Sequence, residues 1–550
     1  MADAEYLSIR GRGRLAYSFE LFDPICHVTM TVMLQKLPIG EQFFANLRQK
    51  NMIYVDKTRL IHEMMNVSSF VFLSRPRRFG KSLLTTTIKE ICQGNRSLFQ
   101  GLWIEDKIDW QPSPVLLINF NSVSYRTQPL AQGLARYMDG LARGMGFRLG
   151  RGDHKEKFSE LLYRLSAQGK ITLLIDEYDK PITDMLENSE KTQENVNTLK
   201  DFYSVLKSDE AANLQFTLIT GVSKYGKVSI FSELNNLTDI TLDPRFATLL
   251  GYTQAELEHY FADYIERLTQ TYQLSRADLL AQIAFWYDGY SWDGAQRVYA
   301  PFSTLLFFDL QSFENHWFTT GTPSFLIKLL RQKKIAAYEL EKVTADSTLL
   351  NSADVNQLSA LSLLFQTGYL TVKKSESAVT GRTFELGYPN YEVTQAFQQH
   401  LLADYLETDL DRIQSSLLVD FQQTLRTRDI DGFITLLKAV FATIPSHLFL
   451  PQEAYYHSIV YLILRLLGFT IVAERLTNIG RIDAVLELSD VVYILEFKMS
   501  SGEVALEQIR TMQYAQAYLG GSKNVILLGI AFDKASRSIG DWQHEVLQRQ

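Results

Sequence analysis

The sequence predicts a mixed α/β chain: a parallel sheet of the βαβ type towards its start, a helical region with a helix-and-hairpin appendage in the middle, and an αβββαβ unit at the end. Three observations carry this. Short apolar runs at 70–74, 115–120, 171–175 and 214–220 alternate with helical patterns such as 155–168 and 192–207. Runs of that length, flanked by polar segments, suit strands covered on both faces. The first run leads into a basic turn ending Gly80-Lys81-Ser82, and an Asp483…Glu496-x-Lys498 constellation lies in the last hundred residues.

At 550 residues the chain is long enough for three or four domains and for a large core without staples. Only 30 glycines and 13 prolines interrupt it, which excludes collagen-like or linker-dominated classes. Two cysteines, Cys26 and Cys92, exclude a disulfide scaffold and favour a reducing compartment. The formal net charge of −7 gives no global pull towards nucleic acid or anionic membrane, so any such affinity must be local. Residues 1–40 lack a basic start followed by an unbroken apolar core, so no secretory signal is expected. The most apolar stretch, 458–473, is interrupted by Arg465 and Gly468 and is shorter than the ~20 residues a bilayer needs, so the expected setting is cytoplasmic with no membrane partner.

The expected organisation is an extension over 1–35, with Met33 as an alternative start, a nucleotide-binding domain over 36–250, a helical and winged-helix-like region over 251–410, and a helical lead-in plus final domain over 411–550. In the third segment, a helix over 354–366 precedes a hairpin at 368–372 and 383–386, the order of a winged-helix module. Such modules bind DNA or pack against a neighbouring ATPase.

The segment Phe70-Val-Phe-Leu-Ser-Arg-Pro-Arg-Arg-Phe-Gly-Lys-Ser82 reads strand, tight turn, helix. Backbone N–H groups of such a turn and the following helix N-terminus point at an anion, as a phosphate cradle requires. Gly80, Lys81 and Ser82 fill the last three positions of G-x-x-x-x-G-K-[ST], with Lys81 for the β/γ-phosphates and Ser82 for magnesium. Arg78 and Phe79 complete the cradle. Arg75 stands where that motif has its first glycine, and Arg75, Arg77 and Arg78 are expected to add positive charge around the phosphates. The strand ending Asp176-Glu177 supplies the second half of a P-loop NTPase: Asp176 to anchor magnesium through water, Glu177 to orient or deprotonate the attacking water. Thr220, at the end of the next strand, is a sensor candidate or a strand-end cap. No arginine finger stands out; Arg245 is the one candidate.

Over 33–317 the chain resembles an AAA-ATPase-like family usually fused to a C-terminal nuclease-like domain. The resemblance rests on Leu37-Pro-Ile-Gly40, Tyr54-Val-Asp-Lys-Thr58, Ser74-Arg-Pro-Arg-Arg-Phe-Gly-Lys-Ser82, Asp176-Glu-Tyr-Asp-Lys-Pro181, Thr220-Gly-Val-Ser-Lys224, Tyr287-Asp-Gly-Tyr290 and the segment 320–325. It makes Arg75 a family trait and implies ATP as the ligand, with an oligomer possible.

In the C-terminal unit, a two-residue loop at Ser489-Asp490 would pair Leu488 with Val491 and so set Asp483 directly opposite Glu496, with Cβ atoms ~5 Å apart. Lys498 shares that face. Facing carboxylates repel, so the pair makes sense around a divalent cation, magnesium or manganese, which lowers the pKa of a bound water. Over 452–532 the chain resembles the PD-(D/E)XK nuclease domain, a restriction-endonuclease-like fold. The resemblance implies metal binding by Asp483 and Glu496, a catalytic Lys498, a nucleic-acid substrate (DNA rather than RNA) and a bacterial setting. Glu453, with His457 one turn later, and Glu474 match extra carboxylate positions, and Gln508 the place of a substrate-contacting glutamine. The expected function is an ATP-binding and hydrolysing protein coupled to a metal-dependent nuclease. The alternative is a nucleotide-dependent switch whose nuclease fold is a non-catalytic binding platform.

Overall fold

The structure is a computed structural model, and it describes residues 34–207, 212–224, 230–231, 234, 236–317, 324–333, 335–347, 350, 359–379, 381–406, 418–444, 453–467, 470–476 and 481–547. The expectations for 1–33, for 320–323, for the start of the 354–366 helix, for Gly480 and for the side chains of Glu453, Glu474, Arg475 and Arg481 lie outside these.

The first sheet is built from β1 (Phe70–Ser74), β2 (Val115–Asn119), β3 (Ile171–Asp176), β4 (Leu214–Gly221) and the two-residue edge strand β5 (Thr238–Asp239), in the order β2-β3-β4-β1-β5. All its pairings are parallel. Every residue of β1 and β3 is buried, which is why these strands are continuous apolar runs without alternation. The registers set Asn119 beside Asp176 and Ser74 beside Gly221, so the chemistry-bearing ends of four strands share one edge. That carboxyl edge is where open α/β sheets bind ligands. Helix α1 (Lys81–Cys92) leaves β1 through Gly80, whose φ of +93° is a left-handed conformation that glycine adopts without penalty.

Next come α2 (Arg276–Tyr287), strand β6 (Val343–Asp346), α3 (Ala360–Thr367), the hairpin β7 (Thr371–Ala378) and β8 (Gly381–Gly387), and α4 (Tyr391–Leu406). The hairpin gains β6 as a third strand, in the order β6-β8-β7, giving helix and wing as the sequence indicates. This module packs on the phosphate-loop region: a Cβ added at Gly368, just after α3, would lie 2.8 Å from Pro76.

The C-terminal unit begins with α5 (Glu453–Leu466), followed by β9 (Thr470–Leu476), β10 (Arg481–Glu487), β11 (Val491–Lys498), α6 (Gly502–Thr511), β12 (Asn524–Asp533) and β13 (Ser538–Leu547). The strand order is β13-β12-β11-β10-β9, with β11 and β12 parallel and the other neighbours antiparallel. The αβββαβ order is present, extended by β13. The register of β10 on β11 (Ala484 with Leu495, Val485 with Ile494) is the one the hairpin loop dictates. Alternation then sorts the side chains. Ala484, Leu486, Tyr493, Leu495 and Phe497 enter the main core, while Val485, Val492 and Ile494 pack under α6 in a separate cluster with Leu506 and Ile509. Asp483, Glu496 and Lys498 fall by parity on the α6 side.

Candidate functional site

At the edge of the first sheet, Asp176 is buried and fully engaged. Its Oδ2 accepts from the Ser82 hydroxyl at 2.6 Å, its Oδ1 from the Thr220 hydroxyl at 2.7 Å, and Asn119 Nδ2 stands 3.5 Å from Oδ2. The serine and acid that the sequence assigns to magnesium are therefore in direct contact. Lys81 is buried in the loop, its Nζ donating to the Arg75 and Pro76 carbonyls at 2.9 Å each. Burial pulls its pKa down, opposed by the charges of Asp176 and Glu177. Glu177 sits in the left-handed region at φ +56°, and burial raises its pKa. Arg78, Gly80, Lys81, Ser82, Asn121 and Glu177 line a cavity of about 340 Å³. An apolar pocket of about 80 Å³, walled by Ile53, Val55, Leu83, Leu250 and Pro301, shares Pro38, Gly80, Leu83, Tyr252 and Pro301 with it. The buried Lys57–Glu256 ion pair (2.6 Å) and the Lys57 bond to the Thr248 carbonyl brace that pocket.

Several expectations change here. Arg75 does not add charge to the cradle. It is fully buried, donates to the carbonyls of Ser74, Thr241 and Phe246, and lies 3.9 Å over the Trp292 ring. Burial pulls its pKa down to about 9. Its reach across the sheet edge is what a glycine at this position could not supply. Arg78 lines the cavity, but its guanidinium donates to the carbonyls of His316 and Trp317 and covers the Phe302 ring at 4.0 Å. The Phe79 ring is buried among Tyr290, Trp292 and Trp317, leaving its backbone N–H as what it can present to a phosphate. Thr220 is buried, with its hydroxyl spent on Asp176, and supports that carboxylate in place of reaching into the cavity. Arg245 grips Asp243 from the surface and is not among the residues lining the cavity.

The other motif residues hold the loops. Asp179 accepts from the backbone and hydroxyl of Ser223 at 2.7 Å each, and Tyr178 donates to the Ser223 carbonyl at 3.0 Å. A Cβ on Gly221 would fall 2.6 Å from the Tyr178 ring, so only glycine fits where these two loops cross.

In the C-terminal unit, the regular β10–β11 ladder stops at Ala484, and the Asp483 carboxylate accepts the next N–H itself, from Phe497 at 2.8 Å. Glu496 is 1% exposed. Its Oε1 accepts from Lys498 Nζ at 3.0 Å and from Gln508 Nε2 on α6, while its Oε2 is buried without a hydrogen-bond partner. Burial, reinforced by the Asp483 charge, pushes its pKa up to about 7. The structure thus brings Asp483, Glu496 and Lys498 together, and Gln508 with them. Gln508 also contacts Tyr514, giving a glutamine–tyrosine pair at a longer spacing than Q-x-x-x-Y. His457 packs on Tyr338 and Phe497 as a core residue.

An orphaned carboxylate oxygen beside a second carboxylate fits a hard divalent cation. No group of three acids, histidines or cysteines suited to a metal occurs among the described residues. Two carboxylates still suit magnesium, which keeps several of its waters. Sequence reasoning missed Asn119 beside Asp176, the locking role of Arg75, and the Gln508–Glu496 bond. Only the last had a sequence signal, the position of Gln508 on the following helix. No helix among the described residues is long and apolar enough to cross a membrane.

Comparisons with known proteins match two segments of the chain. A family model described as a predicted AAA-ATPase matches residues 38–231, and a PD-(D/E)XK nuclease superfamily model matches residues 451–542. A protein of Azotobacter chroococcum mcd 1, named "Uncharacterized protein in vnfD 5'region", is 37% identical over 519 residues, covering 92% of this chain and 98% of the relative. The Walker-type ATPase PABY2304 of Pyrococcus abyssi aligns at 10% identity and a TM-score of 0.33, over 66% of this chain and 99% of that one, too remote a likeness to carry weight. With both models matched in order and a relative shared over nearly its whole length, the chain belongs to the family of predicted AAA-ATPases that carry a PD-(D/E)XK nuclease-superfamily domain at the C-terminus.

Proposed function

We propose that this chain binds and hydrolyses ATP at the Gly80–Ser82 loop and cleaves nucleic-acid phosphodiesters at Asp483, Glu496 and Lys498. The observation that carries the second half is the buried, unpartnered Oε2 of Glu496 facing Asp483. A carboxylate this buried costs several kcal/mol unless fully compensated, and Lys498, Gln508 and the Asp483 backbone leave its pKa raised to about 7. Asp483 and Glu496 would hold magnesium or manganese, which supplies an activated water and charge neutralisation. Lys498, 3.0 Å from Glu496, positions the nucleophile and partly offsets the burial that raises the Glu496 pKa; Gln508 fixes the carboxylate's orientation.

At the first site, Ser82 and Asp176 would hold the nucleotide's magnesium, Lys81 would leave the loop carbonyls for the phosphates, and Glu177 would orient water. The apolar pocket beyond Gly80 suits the base. Arg75, Arg78 and Phe79 grip the 290–317 segment and Pro76 lies against Gly368, which supports nucleotide state being read in the middle region and passed to the nuclease domain. The test compares phosphate release by wild type, Lys81→Ala and Glu177→Gln, and cleavage of single- and double-stranded DNA and RNA by wild type, Asp483→Ala and Lys498→Ala with magnesium or manganese. Equal rates across either set overturn that half; a chain that hydrolyses ATP but never cuts is the switch with a non-catalytic platform.

A further inference from the structure

A second large cavity, of about 670 Å³, opens away from both sites, where α2, β7, α4 and α5 meet. Three cations line it from three separate segments: Arg297 in the loop after α2, Lys373 on β7 and Arg465 in the last turn of α5. Arg465 already has a partner, Glu341 at 3.1 Å. Arg297 is exposed and makes no hydrogen bond or ion pair among the described residues. Lys373 donates to the Pro389 carbonyl at 3.0 Å. One acid, Asp288, shares the wall. Burial and the neighbouring Arg297 bring the Lys373 pKa down to about 8, opposed by the Asp288 charge.

The 16-residue helix α4 begins at this wall, with Asn390 capping it through the Val393 N–H at 3.0 Å. A helix N-terminus beside two cations favours an anion. Independently, Tyr388, Asn390 and Gln398 line the cavity, are each more than nine-tenths buried, and each keep a polar atom (hydroxyl, Nδ2 and Nε2) without a hydrogen-bond partner. Buried polar groups are rarely left so, and three on one wall mark a place built for a polar ligand. At its rim Phe285 is 60% exposed and stacks on Tyr391 at 4.7 Å. Cations, amide donors and an exposed ring are the components that bind a single strand, phosphates on the charge and a base on the aromatic face.

We infer that this cleft binds the sugar-phosphate backbone of a single nucleic-acid strand, with Arg297 and Lys373 on successive phosphates and Phe285 under a base. The inference rests on the nuclease reading for its choice of ligand, and the measurement below is independent of cleavage. A fluorescein-labelled single-stranded DNA oligonucleotide of mixed sequence is titrated with the full chain in EDTA, following anisotropy over a range of salt. For the double variant Arg297→Gln/Lys373→Gln we expect a Kd weaker by about tenfold, and a plot of log K against log salt shallower by about 1.4, as for two lost phosphate contacts on a single strand. Arg297→Gln alone, an exposed change with no folding risk, is expected to make it shallower by about 0.7. Excess AMP should leave the oligonucleotide bound. Unchanged affinity and slope in both variants overturn the proposal, as does displacement by AMP as effective as by unlabelled strand, which would assign the cleft to a free nucleotide. Failure here with cleavage by wild type intact would leave the nuclease reading standing. Asp483→Ala that binds the strand normally but does not cut would separate the two in the other direction.

Discussion

Asp176 and Glu496 are both buried acids at the end of an apolar strand, yet their surroundings differ. Asp176 receives two hydroxyls at 2.6 and 2.7 Å, with Asn119 and Lys81 close by, and each of its oxygens has a donor. Glu496 has both side-chain donors on one oxygen, a second carboxylate beside it, and no side-chain donor on the other oxygen. Each oxygen of the first carboxylate has a protein donor; on the proposed reading, the second carboxylate is completed by a cation. The nucleotide site should therefore owe its stability to its own hydrogen bonds, and the nuclease site to metal.

Four substitutions break or sharpen that contrast. The largest effect is expected from Asp483→Ala, which removes half the carboxylate pair; cleavage should fall by about 10³-fold or more, since groups acting as a unit fail together. Lys81→Ala should lower phosphate release by about 10²- to 10³-fold, the scale of a lost charge-stabilising donor. It should leave cleavage chemistry measurable in its own right.

Glu496→Gln tests the electrostatic difference without turnover. The folded-state pKa, about 7, lies above the ordinary 4.5, so the folded chain holds this proton where the unfolded chain has lost it. Stability contributed here is full at low pH and is lost between about pH 4.5 and 7, amounting to about 3 kcal/mol. In EDTA, urea unfolding of wild type should show that decline relative to Glu496→Gln. Magnesium at pH 8 should restore wild type and leave the variant unchanged. Identical pH profiles would contradict the strain assigned to Glu496. The smallest effect is expected from Thr220→Val, which removes one hydroxyl from Asp176: about 1 kcal/mol by urea unfolding, with phosphate release reduced only a few-fold. A loss as large as that of Lys81→Ala would return Thr220 to a direct role at the γ-phosphate.

Much of this was legible in the sequence where local rules apply. Strand β1, the Gly80–Ser82 turn and the facing of Asp483 and Glu496 follow from apolar runs, turn chemistry and a two-residue hairpin, all short-range constraints. The role of Arg75 was not legible, because its partners Thr241, Phe246 and Trp292 are brought to it only by the folded sheet edge and appendage. Strand β5 is two residues long, and β13 (Ser-Ile-Gly-Asp-Trp-Gln-His-Glu-Val-Leu) is a largely solvent-facing strand with little apolar signal. Thr220 had two readings because strand position alone does not fix which way a hydroxyl turns; the carboxylate beside it does.

The most direct measurement is metal-dependent cleavage by the full chain, with and without ATP, for wild type, Asp483→Ala and Lys498→Ala. We predict cutting by wild type with magnesium or manganese, its loss in both variants and in EDTA, and a change in rate with ATP. Cleavage that persists unchanged in both variants would contradict the assignment of Asp483, Glu496 and Lys498 as the site of chemistry.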